Sequence, residues 1–194
     1  LSSSPSKNQK IKLKSIGVSA SSIPISRNSL NIVHDIQTFI KIFFVYKKIR
    51  PDIVLSYTIK PVIWGGIASR FTKIDFYALI TGLGFTFQGE SFKRKLLTKL
   101  VTLLYKISLK NSKAVIFQNK DNRDIFVNKG IVPFSKTCIV NGSGVDIVKF
   151  NVIKFPKNDI RFLCISRLLG EKGLREYAEA ARIVKDKFPN VEFD

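Results

Sequence analysis

The chain has 194 residues, 45% of them hydrophobic, and carries 33 Lys and Arg against 14 Asp and Glu, a formal net charge of +19. This hydrophobic content excludes a disordered basic tail, and the length allows one domain and part of a second. The charge predicts an anionic partner: nucleic acid, a phosphorylated metabolite or acidic lipid.

The first fifty residues contain one strong helical pattern. Residues 1–10 are polar, and we expect them to be frayed; residues 21–25 fit a short strand. From Asn31 onward, apolar residues recur at helical spacing until "RPD", which predicts a helix that ends there.

The rest of the chain alternates short apolar runs with helical patterns. The predicted strands cover residues 52–57, 75–80, 114–119, 137–142 and 160–165. The predicted helices cover residues 60–71, 91–110, 121–129 and 174–188. This alternation predicts an α/β fold with a parallel, Rossmann-like sheet and helices on both faces. Ligands of such sheets bind at the carboxyl ends of the strands.

Two cations lie at the turn between the fifth strand and its helix, in "FLCISRLLGEKGLREYAEAARI". Arg167 and Lys172 precede a helix start, where free N–H groups also favour negative charge. A diphosphate that gains charge as its sugar leaves would be stabilised there without a metal. The alternative is an ordinary exposed turn in a basic chain.

Two glycine loops also follow strands. "TGLGF" begins at Thr81 and "NGSGVDIVKF" begins at Asn141. Glycines allow the backbone to approach a ligand closely, but ordinary turns also use them. The first loop lacks the full dinucleotide fingerprint, which argues against a dinucleotide cofactor.

The helix at residues 91–110 is basic and amphipathic. Lys95, Lys99, Lys106 and Lys110 fall on one stripe, and leucines fill much of the rest. It is too charged to span a bilayer, but it could lie on anionic lipid. The alternative is a helix that packs on the sheet with solvated lysines.

The remaining reactive side chains are interpreted as structural. His34 is the only histidine, and Cys138 and Cys164 lie in apolar runs without metal-ligand spacing. We therefore expect reduced cysteines in the core and no metal site.

Together these segments resemble the retaining, nucleotide-sugar-dependent glycosyltransferases of family four, which have two Rossmann-like domains in the GT-B architecture. "ISRLLGEKG" resembles their Arg-x4-Lys-Gly element, and "GSGVDIVKF" resembles their Gly-Val-Asp loop. "RPDIVLSYTIKPVIWGGIASR", "ITGLGFTF" and "VIFQNKDNRDIF" resemble the acceptor-side half, especially in bacterial members that extend lipid-linked oligosaccharides for capsule, O-antigen or protein glycosylation. The match runs in the family's order from about Leu13 to the C terminus.

The resemblance implies transfer of a sugar, an N-acetylated hexosamine, from a UDP-sugar to a lipid-linked or polysaccharide acceptor with retention. Arg167, Lys172 and Gly173 would bind the donor diphosphate, and the two cations would be catalytic. The acceptor side of the cleft would contain Thr81, Gly82, Gly84, Asn119, Gly144 and Asp146. The resemblance implies no cofactor besides the UDP-sugar substrate. It also implies a peripheral place on the anionic inner face of the cell membrane. Phe and Tyr fall mainly at buried-looking positions rather than among exposed basic residues, which argues against a nucleic-acid partner.

The family usually opens with a strand and glycine-rich loop that are absent before Leu1, and its donor domain continues beyond the point matching Asp194. We therefore interpret the chain as a fragment that is inactive alone. Residues 1–150 would form an acceptor-side domain incomplete at its N terminus, residues 151–158 a linker, and residues 159–194 the start of a donor domain. Two alternatives stay open: a basic module that binds anionic lipid or nucleic acid through charge, and an inactive remnant.

Overall fold

The computed structural model describes Leu1 and residues 5–25, 31–83, 91–154, 160–166, 168 and 172–194. Its contacts divide the chain into two units, Leu1–Gly144 and Val145–Asp194. The first unit contains α1 (Lys7–Ser15), α2 (Ile32–Ile49), β1 (Ile53–Tyr57), α3 (Ile59–Thr72), β2 (Asp75–Ile80), α4 (Phe92–Leu109), β3 (Ala114–Phe117), α5 (Lys120–Asn128), a short 3-10 helix (Phe134–Lys136) and β4 (Thr137–Ile139). The second contains β5 (Arg161–Phe162), α6 (Leu174–Lys187) and β6 (Glu192–Phe193).

The sheet of the first unit is parallel throughout, in the order β1-β2-β3-β4. Each strand is joined to the next by a crossover, which contains a helix in every case. The predicted α/β class with a parallel Rossmann-like sheet is therefore confirmed. The strands are shorter than predicted: β3 ends at Phe117, directly before Gln118, and β4 ends at Ile139, two residues before Asn141.

The main core lies on one face of this sheet. Alternate strand residues on that face are fully or almost fully buried: Phe76, Ala78 and Ile80 on β2, and Val115 and Phe117 on β3. Helices α3, α4 and α5 supply the side chains of the same cluster, including Val62, Tyr105 and Phe126. On β1 the alternate residues Ile53, Leu55 and Tyr57 point to the other face and are 61%, 58% and 62% exposed.

Two glycines let α3 pack closely against its neighbours. A Cβ atom on Gly66 would lie 2.6 Å from the backbone oxygen of Ser108 on α4 and 3.0 Å from the ring of Phe76. A Cβ atom on Gly65 would lie 2.8 Å from the Ser56 hydroxyl and 3.0 Å from that of Tyr46. The sequence "WGG" therefore allows α3 to lie at the centre of the helical layer, between α2 and α4.

The second unit is a single β-α-β crossover. Strands β5 and β6 pair in parallel, and the rings of Phe162 and Phe193 stack with centroids 5.1 Å apart. The Tyr177 hydroxyl on α6 lies 2.9 Å from the Phe162 carbonyl oxygen, to which it donates. Although α6 is amphipathic, none of its residues is buried.

Three local predictions were wrong. Residues 7–10 are not frayed, because Ser6 and Gln9 form a capping box that starts α1. The expected strand at residues 21–25 is only a single bridging residue, Ser22. Cys138 is exposed and Cys164 is half-buried. Neither is a core residue, because Cys138 lies on the end strand β4 and Cys164 lies in the small second unit.

Candidate functional site

The residues that follow the strands of the first unit lie along one edge of its sheet. Ile80, Phe117 and Ile139 pair in one row, and the next residues are Thr81, Gln118 and Val140. Because neighbouring strands are about 4.8 Å apart, these residues are brought side by side by the register. We call this the carboxyl edge.

Thr58 begins α3 at the carboxyl edge with a strained backbone. Its φ of 67° and ψ of 157° fall in a region used almost only by glycine, and its side chain makes no capping hydrogen bond. A β-branched residue held there marks a backbone shape that the surrounding fold imposes. Sequence reasoning missed Thr58, although its place between a strand and a helix with Pro61 in the first turn was visible.

Gln118 and Ser143 meet at the same edge. The Gln118 amide Nε2 lies 3.4 Å from the Ser143 hydroxyl, to which it donates. This contact joins the end of β3 to the glycine loop after β4. Gln118 was also missed, although it directly follows the buried Phe117.

The predicted acceptor residues of the first glycine loop fall partly within the described residues. Thr81 is exposed and Gly82 is half-buried at the carboxyl edge. Among the residues that the structure describes, no atom beyond the two chain neighbours lies within 4 Å of the position that a Cβ on Gly82 would occupy, so these residues leave its backbone open to a ligand. Gly84 lies outside the described residues.

Asn119 and Gly144 have clear structural roles. The Asn119 side-chain oxygen accepts a hydrogen bond of 2.8 Å from the Asn122 backbone N–H and so caps α5. Gly144 is exposed, and its φ of +72° favours glycine. The contribution of either residue to a binding site stays a prediction.

In the second unit, Asp146 is engaged with its own loop. Its Oδ1 accepts hydrogen bonds from the backbone N–H groups of Val148 (3.0 Å) and Lys149 (3.1 Å). The carboxylate therefore holds the Gly-Val-Asp loop in a turn.

Lys172 and Gly173 lie just before α6. Lys172 is exposed, and Gly173 occupies the position before the first helical residue with a φ of 72° and no side-chain cap. Because glycine has no side chain, Gly173 offers no acceptor to the first backbone N–H groups of α6. Backbone N–H groups at the start of a helix favour a bound anion. Glu176 supplies an acidic group in the same first turn. Arg167 lies outside the described residues.

The carboxyl edge is built from hydroxyl groups, an amide and glycine backbone rather than clustered acids. Within the residues that the structure describes, no three His, Cys, Asp or Glu side chains are grouped so that they could hold a metal ion. Such neutral polar groups can donate to and accept from sugar hydroxyls. No described helix is both long and apolar enough to cross a bilayer.

The fold is shared with a solved UDP-sugar enzyme. A crystal structure of UDP-N-acetylglucosamine 2-epimerase superposes with a TM-score of 0.54 at 11% identity, covering 97% of this chain and 52% of that one. At this identity the likeness establishes the fold alone. The chain has the parallel α/β architecture of the GT-B type.

The sequence defines the family. Residues 1–119 match the model of the "Glycosyl transferase 4-like" family, which is more than half of the chain. The chain therefore belongs to the glycosyl transferase 4-like family, as its motifs predicted.

Two curated relatives match over most of the chain. An N,N'-diacetylbacillosaminyl-diphospho-undecaprenol alpha-1,3-N-acetylgalactosaminyltransferase from Campylobacter jejuni is 30% identical over 190 residues, covering 91% of this chain and 50% of its own length. A UDP-Gal:alpha-D-GlcNAc-diphosphoundecaprenol alpha-1,3-galactosyltransferase from Escherichia coli is 25% identical over 173 residues, covering 84% and 44%. The chain thus spans about half the length of the curated relatives it matches.

Proposed function

We propose that this chain is part of a glycosyltransferase that moves a sugar, an N-acetylhexosamine, from a UDP-sugar to a saccharide on a lipid diphosphate, with retention. The observation that carries the proposal is the 30% identity to an N-acetylgalactosaminyltransferase over 91% of the chain. The second relative differs in the sugar named but also acts on a diphosphoundecaprenol-linked acceptor. The shared acceptor class fits a role in capsule, O-antigen or related polysaccharide synthesis.

Arg167, Lys172 and Gly173 would hold the donor diphosphate. When the bond between the sugar and the diphosphate breaks, negative charge grows on the departing phosphate oxygens. An arginine fork, an ammonium group and the N–H groups at the start of α6 are all suited to that charge. In this proposal the side chains neutralise the diphosphate, and the UDP-sugar is a substrate rather than a cofactor.

The carboxyl edge would receive the acceptor. Thr81 offers a hydroxyl, Gly82 offers a backbone without a side chain, and Gln118 offers an amide beside Thr81. Gly84 would contribute from the same glycine loop. Asn119, Gly144 and Asp146 would shape the loops around this cleft.

The site of action follows from the chemistry of the two substrates. Nucleotide sugars are soluble phosphorylated metabolites, whereas a lipid-diphosphate acceptor stays in the bilayer. We therefore place the enzyme in the cytoplasm, peripheral on the inner face of the cell membrane. The basic charge of +19 supports an anionic membrane surface as a partner.

The diphosphate role can be tested in the longest form of the protein that contains these residues. Replacing Arg167 or Lys172 by Ala removes a donor aimed at developing charge, which typically costs ~3 kcal/mol, or roughly a hundredfold in rate. Arg167→Lys should also be poor, because lysine lacks the bidentate fork. The measurement is turnover of a UDP-sugar with a lipid-diphosphate-linked acceptor.

The matched control is Lys185→Ala, which removes an exposed cation from the last turn of α6. It should leave turnover unchanged and cost well under ~1 kcal/mol of stability. Normal turnover after both Arg167 and Lys172 are replaced by Ala would show that these residues are ordinary surface charges.

A further inference from the structure

Helix α4 has two apolar faces, and the fold of the first unit uses only one of them. Val101, Tyr105 and Leu109 are buried in the core against α3 and the sheet. A second row of apolar residues on the same helix remains exposed: Phe92 (82%), Leu96 (61%), Leu100 (53%), Leu103 (54%) and Ile107 (39%).

The exposed residues form a continuous stripe. Their spacings of four, four, three and four residues keep them on one side of a helix with 3.6 residues per turn. The stripe therefore runs along nearly the whole length of α4. We call it the α4 outer stripe.

A row of lysines borders the α4 outer stripe. Lys95, Lys99 and Lys106 are exposed along one flank, and Lys93 lies on the other. Helix α4 contains no acidic residue, and no carboxylate in the described part of the chain pairs with Lys95, Lys99 or Lys106. At its end, Lys136 adds a further cation, donating to the Lys110 carbonyl oxygen at 3.0 Å.

We propose that the α4 outer stripe is a docking surface for an anionic phospholipid bilayer. The leucines would enter the boundary between headgroups and acyl chains, while the lysines would contact anionic headgroups beside them. This geometry matches a helix that lies in the plane of the interface. Its use for presenting a lipid-linked acceptor to the carboxyl edge rests on the proposed function.

Charge disfavours two other occupants of the stripe. A second copy of the chain would bring one row of lysines against another, since α4 has no carboxylate to pair with them. A nucleic acid would pair with the lysines but would leave the row of leucines exposed to water. Base stacking also needs aromatic residues, and the stripe contains only Phe92. A bilayer satisfies both rows at once.

The test is co-sedimentation of the purified protein with vesicles of phosphatidylcholine alone or mixed with phosphatidylglycerol. We expect binding to the mixed vesicles that weakens as salt rises. Lys95→Gln, Lys99→Gln and Lys106→Gln together should reduce it roughly a hundredfold, at about fivefold for each lysine. The double variant Leu100→Ser and Leu103→Ser should reduce vesicle binding about tenfold. This loss should persist at high salt, because the leucines bind through apolar contact rather than charge.

The matched control replaces Lys7, Lys10 and Lys14 on α1 by Gln. These lysines are also exposed, so the net charge changes equally while α4 is unaltered. The control should bind almost as the natural sequence does. Equal losses in the α1 and α4 variants, or no loss in either α4 variant, would overturn the proposal. So would a dimer in solution that the leucine substitutions dissociate.

Failure of this inference can be told apart from failure of the proposed function. Sugar transfer to a detergent-dispersed acceptor, without any vesicle binding, would overturn docking through α4 and leave the glycosyltransferase proposal intact. Vesicle binding that needs the α4 outer stripe, without sugar transfer by the longest form of the protein that contains Arg167 and Lys172, would support docking and count against the glycosyltransferase proposal.

Discussion

The two units of this protein contain the same supersecondary element but bury it to very different degrees. In the first unit, three consecutive crossovers place Phe76, Phe117 and Phe126 at 1% exposure or less. In the second unit, one crossover leaves Phe162 47% exposed and buries no residue of α6. Amphipathic helices occur in both, so the apolar pattern alone does not produce a core.

The difference follows from the ratio of surface to volume. In the described part of the second unit, α6 is the only helix on a two-stranded sheet, whereas α3 in the first unit is flanked by both α2 and α4. Small assemblies bury too little apolar surface to offset the entropy of ordering the chain. We therefore expect the first unit to carry most of the measurable stability.

The largest expected effect is a cavity in the first unit. Phe126 is fully buried against the rings of Tyr105 and Phe117, with centroids 5.0 Å and 5.3 Å away. Phe126→Ala should lower the free energy of unfolding by ~3–5 kcal/mol. Chemical denaturation followed by the fluorescence of Trp64, the only tryptophan, measures this unit directly.

The matched change in the second unit is Phe162→Ala, which truncates a half-exposed ring stacked on Phe193. The Trp64 transition should not move. An equal shift in both variants would mean that the two units unfold together and that the contrast between them is not energetic.

A smaller effect is expected where α3 approaches α4. Gly66→Ala would place a methyl group 2.6 Å from the Ser108 carbonyl oxygen, which is backbone and cannot turn away. We expect a loss of ~1–3 kcal/mol from overpacking, despite the better helix propensity of alanine. Thermal unfolding should show a lower Tm.

Gly82→Ala is the control, because no atom of the described residues beyond its chain neighbours lies within 4 Å of the added Cβ. It should change stability by less than ~0.5 kcal/mol. A Gly66→Ala variant as stable as this control would mean that α3 and α4 can separate at little cost.

The smallest expected effect is a loss of folding stability at alkaline pH. Burial raises the pKa of Tyr46 to about 12, although its hydrogen bond with Ser56 acts in the opposite direction. Burial also raises the pKa of Tyr105 above its ordinary value. Because the unfolded chain releases these protons near pH ~10, the stability they contribute is complete below that pH and is lost as pH rises toward about 12.

Unfolding free energies measured in urea at about pH 9 and about pH 11 test this dependence. Tyr46→Phe should reduce the difference between the two pH values by ~1 kcal/mol. Loss of the hydrogen bond with Ser56 lowers the free energy of unfolding at both pH values, so this cost cancels in the difference between them. A pH dependence that is identical in the variant would show that Tyr46 ionises as readily in the folded state as in the unfolded one.

Much of the fold was predictable because its signals are local. The apolar run before "RPD", the strand ending at Tyr57 and the helix with Pro61 in its first turn were all placed within a few residues. The start of α1 was missed because Ser6 and Gln9 are ordinary polar residues until their side chains meet the backbone.

The candidate site was predicted less completely. Thr81 and Gly82 were found because a glycine loop follows a buried strand, but Thr58 and Gln118 were not. Nothing in a linear sequence marks a strained backbone, and nothing in it shows that Gln118 reaches Ser143, which is 25 residues away.

The sequence by itself determined the order of the helices and strands from α2 to α6, the family and the basic charge, because periodicity, motif spacing and composition are properties of neighbouring residues. Only the tertiary structure decided which apolar side of each element is buried. On α4 the sequence offers apolar residues on two sides, and packing against α3 and the sheet selected Val101 and Tyr105 for the core. Leu96 and Leu100 were left in water because a layer of helices has only one face toward its sheet.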